Sequence, residues 1–170
     1  MKLTVIGLGL IGGSMAIDLR KAGFAREVVG VDANPENAQE ALRLGIIDRI
    51  SDFEHAVTNA DLVLVSIPVD KVVDTLIKVL DLITDQTTVI DVGSTKKAIA
   101  LAVENHPKRR NYVAAHPMSG TENSGPSAAL EGLFDGKINI ICDQEKSGPL
   151  HLAFAEKIFG IRLKFGVEFF

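Results

Sequence analysis

The chain has 170 residues, 46% of them hydrophobic and 24% charged, with a formal net charge of −4 at pH 7. That is the length of one well-buried domain and the composition of a soluble globular protein. The acidic balance argues against nucleic acid or an anionic membrane surface as a partner, and no run approaches the roughly eighteen apolar residues of a membrane-spanning helix.

The stretch from Lys2 to Asp32 organises the rest. An apolar run, Leu3-Thr4-Val5-Ile6, breaks into Gly7-Leu8-Gly9-Leu10-Ile11-Gly12-Gly13-Ser14. A helical pattern follows to Ala22, and a second apolar run, Val28-Val29-Gly30-Val31, ends on Asp32. Strand, glycine-rich turn, helix and acid-terminated strand form the context in which a GxGxxG run reads as a dinucleotide site rather than a tight turn without a ligand. Gly7 permits the exit from the strand, Gly9 lets the backbone approach a pyrophosphate, and Gly12 lets the helix pack closely on the sheet. The helix start at Leu10 and Ile11 offers free N–H groups and a positive dipole end to the phosphates. Asp32, about twenty residues beyond the last glycine, is placed to accept hydrogen bonds from the adenosine ribose. A carboxylate there repels a 2′-phosphate, and Ala33, Asn34 and Pro35 bring no arginine, so NAD is favoured over NADP. Lys2 before an apolar segment resembles a signal peptide, but the glycine spacing and the early Asp18 and Arg20 fit a folded core better.

Asn34-Pro35-Glu36 reads as a helix start, and that helix stops at Gly45. A short third strand is expected within 46–50 and a short helix within 51–59. Asp61-Leu62-Val63-Leu64-Val65-Ser66-Ile67-Pro68 is the clearest central strand, since consecutive apolar residues imply burial on both faces. A helix is expected over 70–82, a strand at Thr87-Thr88-Val89-Ile90, a helix over 95–104, and a strand at Tyr112-Val113-Ala114-Ala115 ending on His116-Pro117. From Met118 to Pro126 periodicity is lost, which marks a long loop. A helical turn over 127–133, a strand over 137–142, a helix over 148–159 and a last strand over 161–165 complete the chain. Strands alternating with helices predict an α/β fold: a doubly wound, mostly parallel Rossmann-type sheet with helices on both faces. Cys142 falls in the apolar run Ile138-Asn139-Ile140-Ile141-Cys142 and reads as a buried strand residue. As the single cysteine it has no internal disulfide partner, which fits a reducing cytoplasm.

Ligands of doubly wound sheets collect at the carboxyl ends of the strands. The glycine turn, Ser66-Ile67-Pro68, Gly93-Ser94 and His116-Pro117 all fall at such ends. His116 is held by a strand and a proline, and its imidazole can take a proton from an alcohol as hydride leaves; the alternative is a histidine that only stabilises the loop. Ser94 either caps the following helix or hydrogen-bonds a substrate hydroxyl. His55, His106 and His151 read as surface residues without partners, and Lys108-Arg109-Arg110 as a solvated turn. There is no GxSxG elbow, no CxxC and no cluster at metal-ligand spacing, so no metal site is expected.

The glycine run, Asp32, Asp91-Val92-Gly93-Ser94-Thr95-Lys96 and His116-Pro117-Met118-Ser119-Gly120-Thr121-Glu122-Asn123-Ser124-Gly125 together resemble the prephenate/arogenate dehydrogenases of tyrosine biosynthesis. The resemblance implies NAD(P)-dependent oxidative decarboxylation of prephenate to 4-hydroxyphenylpyruvate, or the same reaction on arogenate. Carried over by motif, His116 holds and deprotonates the C4 hydroxyl, and Ser94 hydrogen-bonds it and orients His116. Thr121, Glu122 and Ser124 line a loop over the substrate, and Ser66 and Pro68 border the nicotinamide ribose. In that family a helical second domain follows, forms the homodimer and supplies a prephenate-binding arginine. The chain ends near where that domain begins, so residues 1–170 are expected to be the dinucleotide-binding domain, truncated before the helical one. A fragment that binds NAD without catalysis is the alternative.

Overall fold

Leu62, Val63, Leu64 and Val65 are all fully buried, and this strand lies inside the sheet, with neighbours on both sides. The computed structural model describes residues 1–160 and the backbone of 167–169. In chain order the elements are β1 (Lys2–Ile6), α1 (Leu10–Lys21), β2 (Glu27–Val31), α2 (Pro35–Arg43), β3 (Arg49–Ile50), α3 (Phe53–Thr58) and β4 (Leu62–Val65). They continue as α4 (Val69–Leu82), β5 (Thr88–Asp91), α5 (Lys97–Ala102), β6 (Tyr112–Pro117), β7 (Asn139–Cys142), α6 (Pro149–Gly160) and β8 (Val167–Phe169).

The described strands form one sheet in the order β3-β2-β1-β4-β5-β6-β7-β8. Pairing is parallel from β3 to β6, β7 runs antiparallel to β6, and β8 is parallel to β7. The order reverses between β1 and β4, which makes the ends of those two strands the topological switch point where such sheets bind ligands. This is the doubly wound, mostly parallel sheet that the alternation of elements predicts.

Local chemistry sets the helix ends. Asn34 Oδ1 accepts from the Glu36 amide at 2.9 Å and Pro35 takes the first helical position, so α2 starts as expected. Asp52 caps α3 by accepting from the His55 amide at 2.9 Å. In α4, Val72, Leu76, Val79 and Leu80 form the buried stripe of an amphipathic helix. One core cluster joins α1, α2 and α6 to one sheet face through residues such as Met15, Ala38 and Phe159. The other joins α3, α4 and α5 to the opposite face through Val57, Leu76 and Ile99.

The expectations for His151, Arg109, Lys108 and His106 are corrected. His151 is 6% exposed rather than on the surface, and its Nδ1 lies 2.8 Å from Thr88 Oγ1, tying α6 to β5. Arg109 is 5% exposed rather than solvated: its Nη1 donates to the Tyr112 carbonyl at 3.1 Å and its guanidinium carbon lies 5.0 Å from the Tyr112 ring centroid. Lys108 donates to the Ile83 carbonyl at 2.8 Å and pairs with Asp85 at 3.0 Å; among the described residues, the Arg110 side chain of that run has no hydrogen bond or ion pair. His106 also has a partner, Asp81, at 3.1 Å, whereas His55 is exposed. Cys142 sits in β7 as expected but is only partly buried. The strand expected over 161–165 lies outside the described residues. Among the described residues no helix is long and apolar enough to cross a membrane.

Candidate functional site

The glycine turn leaves β1 with Gly7 at φ +93°, a conformation that L side chains rarely adopt; a Cβ there would stand 2.1 Å from the Ser66 carbonyl oxygen. A Cβ on Gly12 would stand 2.1 Å from the Gly7 carbonyl oxygen, so the first turn of α1 lies directly against the strand exit. A Cβ on Gly9 would meet nothing within 4 Å. Two of the glycines are thus required by packing, while Gly9 faces open space of the kind a ligand fills.

Asp32, at the end of β2, accepts from the Leu8 amide at 2.8 Å through Oδ2 and from the Asn34 amide at 2.8 Å through Oδ1. The carboxylate therefore fixes the glycine turn and the α2 approach before any ligand arrives. Each oxygen keeps acceptor capacity, since a carboxylate has about four lone-pair directions.

Two adjoining clefts run along this edge. One, of about 680 Å³, is lined by Gly7, Gly9, Asp32, Asn34, Ser66 and Pro68 among others, and Lys71 also reaches it. The second, of about 320 Å³, is lined by Gly9, Leu10, Ile11, Ser66, Pro68 and Ser94, with Ser124 at its far side. They share Gly9, Ser66, Ile67 and Pro68, so a continuous surface leads from Asp32 across the glycine turn to Ser94. A dinucleotide has this linear form, and the amides at the start of α1 lie midway, where its phosphates fall. The residues present fit such a group.

Ser94 precedes α5 but does not cap it. The helix begins at Lys97, shorter than expected, and carries no side-chain cap bond. That removes the capping alternative and leaves Ser94 lining the cleft. His116 follows on β6, at the same edge of the sheet. It is half-buried, and its Nδ1 is enclosed without a hydrogen-bond partner. Burial and the nearby Lys96 charge lower its pKa, opposed by the Val92 backbone and Asp91, which leaves a neutral imidazole at pH 7. In the loop after β6, Ser124 reaches the second cleft, while Thr121 and Glu122 are exposed and line neither cleft.

A polar network beneath His116 was not legible in the sequence. Asp91 is fully buried, and Lys96 Nζ lies 2.5 Å from its Oδ2. Tyr112 donates its hydroxyl to Asp91 Oδ1 at 2.5 Å, and the Gly93 amide donates to Oδ2 at 3.0 Å. Burial and Asp91 push the Tyr112 phenol far above its ordinary value, so it stays protonated and donating. The available signal was an acid closing an otherwise apolar strand, with a lysine five residues on. Among the described residues no group of His, Cys, Asp and Glu is arranged to hold a metal ion.

Comparison with known proteins adds the family. The family described as prephenate dehydrogenase, nucleotide-binding domain, matches residues 15–162. A prephenate dehydrogenase of Bacillus subtilis (strain 168) is 37% identical over 155 residues, covering 86% of this chain and 41% of that protein. Among solved structures, a prephenate dehydrogenase from A. aeolicus in complex with hydroxyphenyl propionate and NAD+ superposes with a TM-score of 0.90 at 31% identity, covering 100% of this chain and 59% of that one. A Synechocystis arogenate dehydrogenase superposes with a TM-score of 0.86 at 28% identity, covering 100% and 59%. The chain spans less than half the length of the curated relatives it matches.

Proposed function

The chain belongs to the prephenate dehydrogenase family, as its nucleotide-binding domain, and on that premise we propose that it binds NAD across the glycine turn and serves the NAD-dependent oxidative decarboxylation of prephenate. The observation that carries this reading is the continuity of the two clefts from Asp32 through Gly9 to Ser94. Asp32 accepts from the adenosine ribose hydroxyls, the amides of Leu10 and Ile11 face the pyrophosphate, and Ser66 and Pro68 border the nicotinamide ribose. The A. aeolicus relative that superposes over the whole chain is in complex with NAD+, which supports the same cofactor here.

NAD, when bound, accepts the hydride that leaves C4 of the substrate. His116, held neutral by burial and the Lys96 charge, takes the proton of the C4 hydroxyl as the hydride departs. Ser94 hydrogen-bonds that hydroxyl and holds it toward His116. The C1–carboxylate bond then breaks, carbon dioxide leaves, its bonding pair enters the aromatising ring, and the oxygen recovers the proton as the phenol of 4-hydroxyphenylpyruvate. Ser124 closes the cleft from the loop after β6, with Thr121 and Glu122 beside it. Residues 1–170 form the dinucleotide-binding domain of this assignment, and the partner domain is the helical, homodimer-forming one.

Arogenate is the alternative substrate, favoured by the arogenate dehydrogenase among the structural relatives; the C4 chemistry is the same. The test is NADH formation with prephenate or arogenate. It is measured on this chain and on the chain joined to the C-terminal half of the Bacillus subtilis relative. The joined protein is expected to form NADH with one of the two. A joined protein that binds NAD yet reduces none with either substrate contradicts the assignment.

A further inference from the structure

Behind the Asp91–Lys96 pair lies a third cleft, of about 320 Å³, outside the nucleotide path. Lys96, Lys97, Arg109 and Lys146 line it, with Glu104, Asp143 and the apolar surfaces of Ala100, Leu101 and Cys142. Its volume lies at the small-ligand end of protein pockets.

The charges are not all matched. Lys96 is committed to Asp91 at 2.5 Å and Lys146 to Glu104 at 3.3 Å. Among the described residues, neither Lys97 nor Arg109 has an ion-pair partner. Arg109 is 95% buried, and its Nη2 is enclosed with no hydrogen bond, although a guanidinium remains charged in a protein. A buried charged donor left unpaired is costly, and natural structures rarely leave one without a function. Asp143, which lines the cleft, is the one non-glycine described residue with positive φ, at 50°; such local strain concentrates at ligand sites. The carboxylates of Asp143, Glu145 and Glu104 act on Arg109 through space without an ion-pair contact among the described residues, so its guanidinium keeps donor capacity for a ligand.

We propose that this cleft binds a small oxyanion with an apolar body, a carboxylate or a phosphate ester, held by Arg109 together with Lys97. Arg109 lines the cleft with a guanidinium, the group best suited to carboxylate and phosphate oxygens. The exposed lysines draw the anion in, and Ala100 and Leu101 accept its apolar part.

The test titrates benzoate and inorganic phosphate separately into the whole chain saturated with NADH, so that the nucleotide path is blocked. Binding is followed by the backbone amide resonances of residues 97–104 and 143–146. Arg109 also anchors the Tyr112 carbonyl, so its removal endangers the fold; Lys97 and Lys146 are exposed and carry the substitutions instead. Benzoate is expected to shift these amides, and the Lys97→Gln/Lys146→Gln protein is expected to bind it at least about tenfold more weakly. NADH affinity should be unchanged in that protein, which separates failure of this site from failure of the nucleotide reading. A response to phosphate without benzoate assigns the site to phosphate esters. If neither probe moves these amides in the wild type, or the double variant binds both as tightly, the proposal is overturned.

Discussion

The Leu8 amide donates to Asp32 Oδ2 at 2.8 Å, so the acid that ends β2 is hydrogen-bonded to the glycine turn that ends β1. Asp32 is therefore a strut of the turn as well as a candidate ribose acceptor. Asp32→Ala should weaken NADH binding at least about tenfold, because it removes a charge-assisted acceptor and loosens the turn together. It should also narrow the preference over NADPH, since Lys71 remains in the cleft once the carboxylate has gone. Paired NADH and NADPH titrations of wild type and variant check this; equal affinities in the wild type would remove Asp32 as the discriminator.

The glycines should separate into two classes. Gly12→Ala puts a methyl 2.1 Å from the Gly7 carbonyl oxygen and should destabilise the fold by several kcal/mol, about 3 or more. Gly9→Ala projects into open space and should leave stability within about 0.5 kcal/mol while reducing NADH affinity. Urea unfolding beside NADH titration reads both. A Gly9→Ala protein that binds NADH normally would show that no ligand approaches this backbone.

Breaking the buried pair should cost more than replacing it. Lys96→Met leaves Asp91 charged at 0% exposure and should destabilise by about 3–5 kcal/mol. The double change Asp91→Asn/Lys96→Met removes the stranded charge and should recover a large part of that loss. Tyr112 still donates to the amide oxygen. Denaturant midpoints of the three proteins decide it, and a double variant as unstable as Lys96→Met would contradict the account.

Acid should weaken the fold before the carboxylates titrate. His116 and His151 both have pKa values lowered from 6.5, chiefly by burial. The unfolded chain therefore takes up these protons at higher pH than the folded one. The stability they contribute is fully present above about pH 6.5 and is lost as pH falls from there through the folded values. Melting temperatures between pH 8 and pH 5 should show this decline, and histidine resonances should place both midpoints below 6.5. Lys96→Gln should move the His116 midpoint upward, because the ammonium is one of the groups holding it down.

What could be read ahead of the structure was local. The glycine turn, Asp32, the Asn34 cap and the order of strands and helices follow from spacing and periodicity within short windows. The family followed from three motif runs taken together. Tyr112 meets Asp91 because β5 and β6 pair with Asp91 opposite Ala114, a register that no short window contains. Arg109 looked solvated because it sits among basic neighbours, yet the Tyr112 ring and carbonyl draw it inward. His151 lies on the face of α6 that packs on Thr88, and a helix with so many apolar residues does not announce which face is buried. Ser94 had two readings until the start of α5 at Lys97 separated it from the cap position.

The most direct test of the central claim is the effect of His116→Asn on the chain joined to the C-terminal half of the Bacillus subtilis relative, with NAD affinity and substrate-dependent NADH formation measured on the same preparation. His116 lines neither nucleotide cleft, so NAD affinity should stay within about twofold, while removal of a proton acceptor should lower turnover by about 10²- to 10⁴-fold. Turnover unchanged from wild type would contradict hydride transfer at this strand edge.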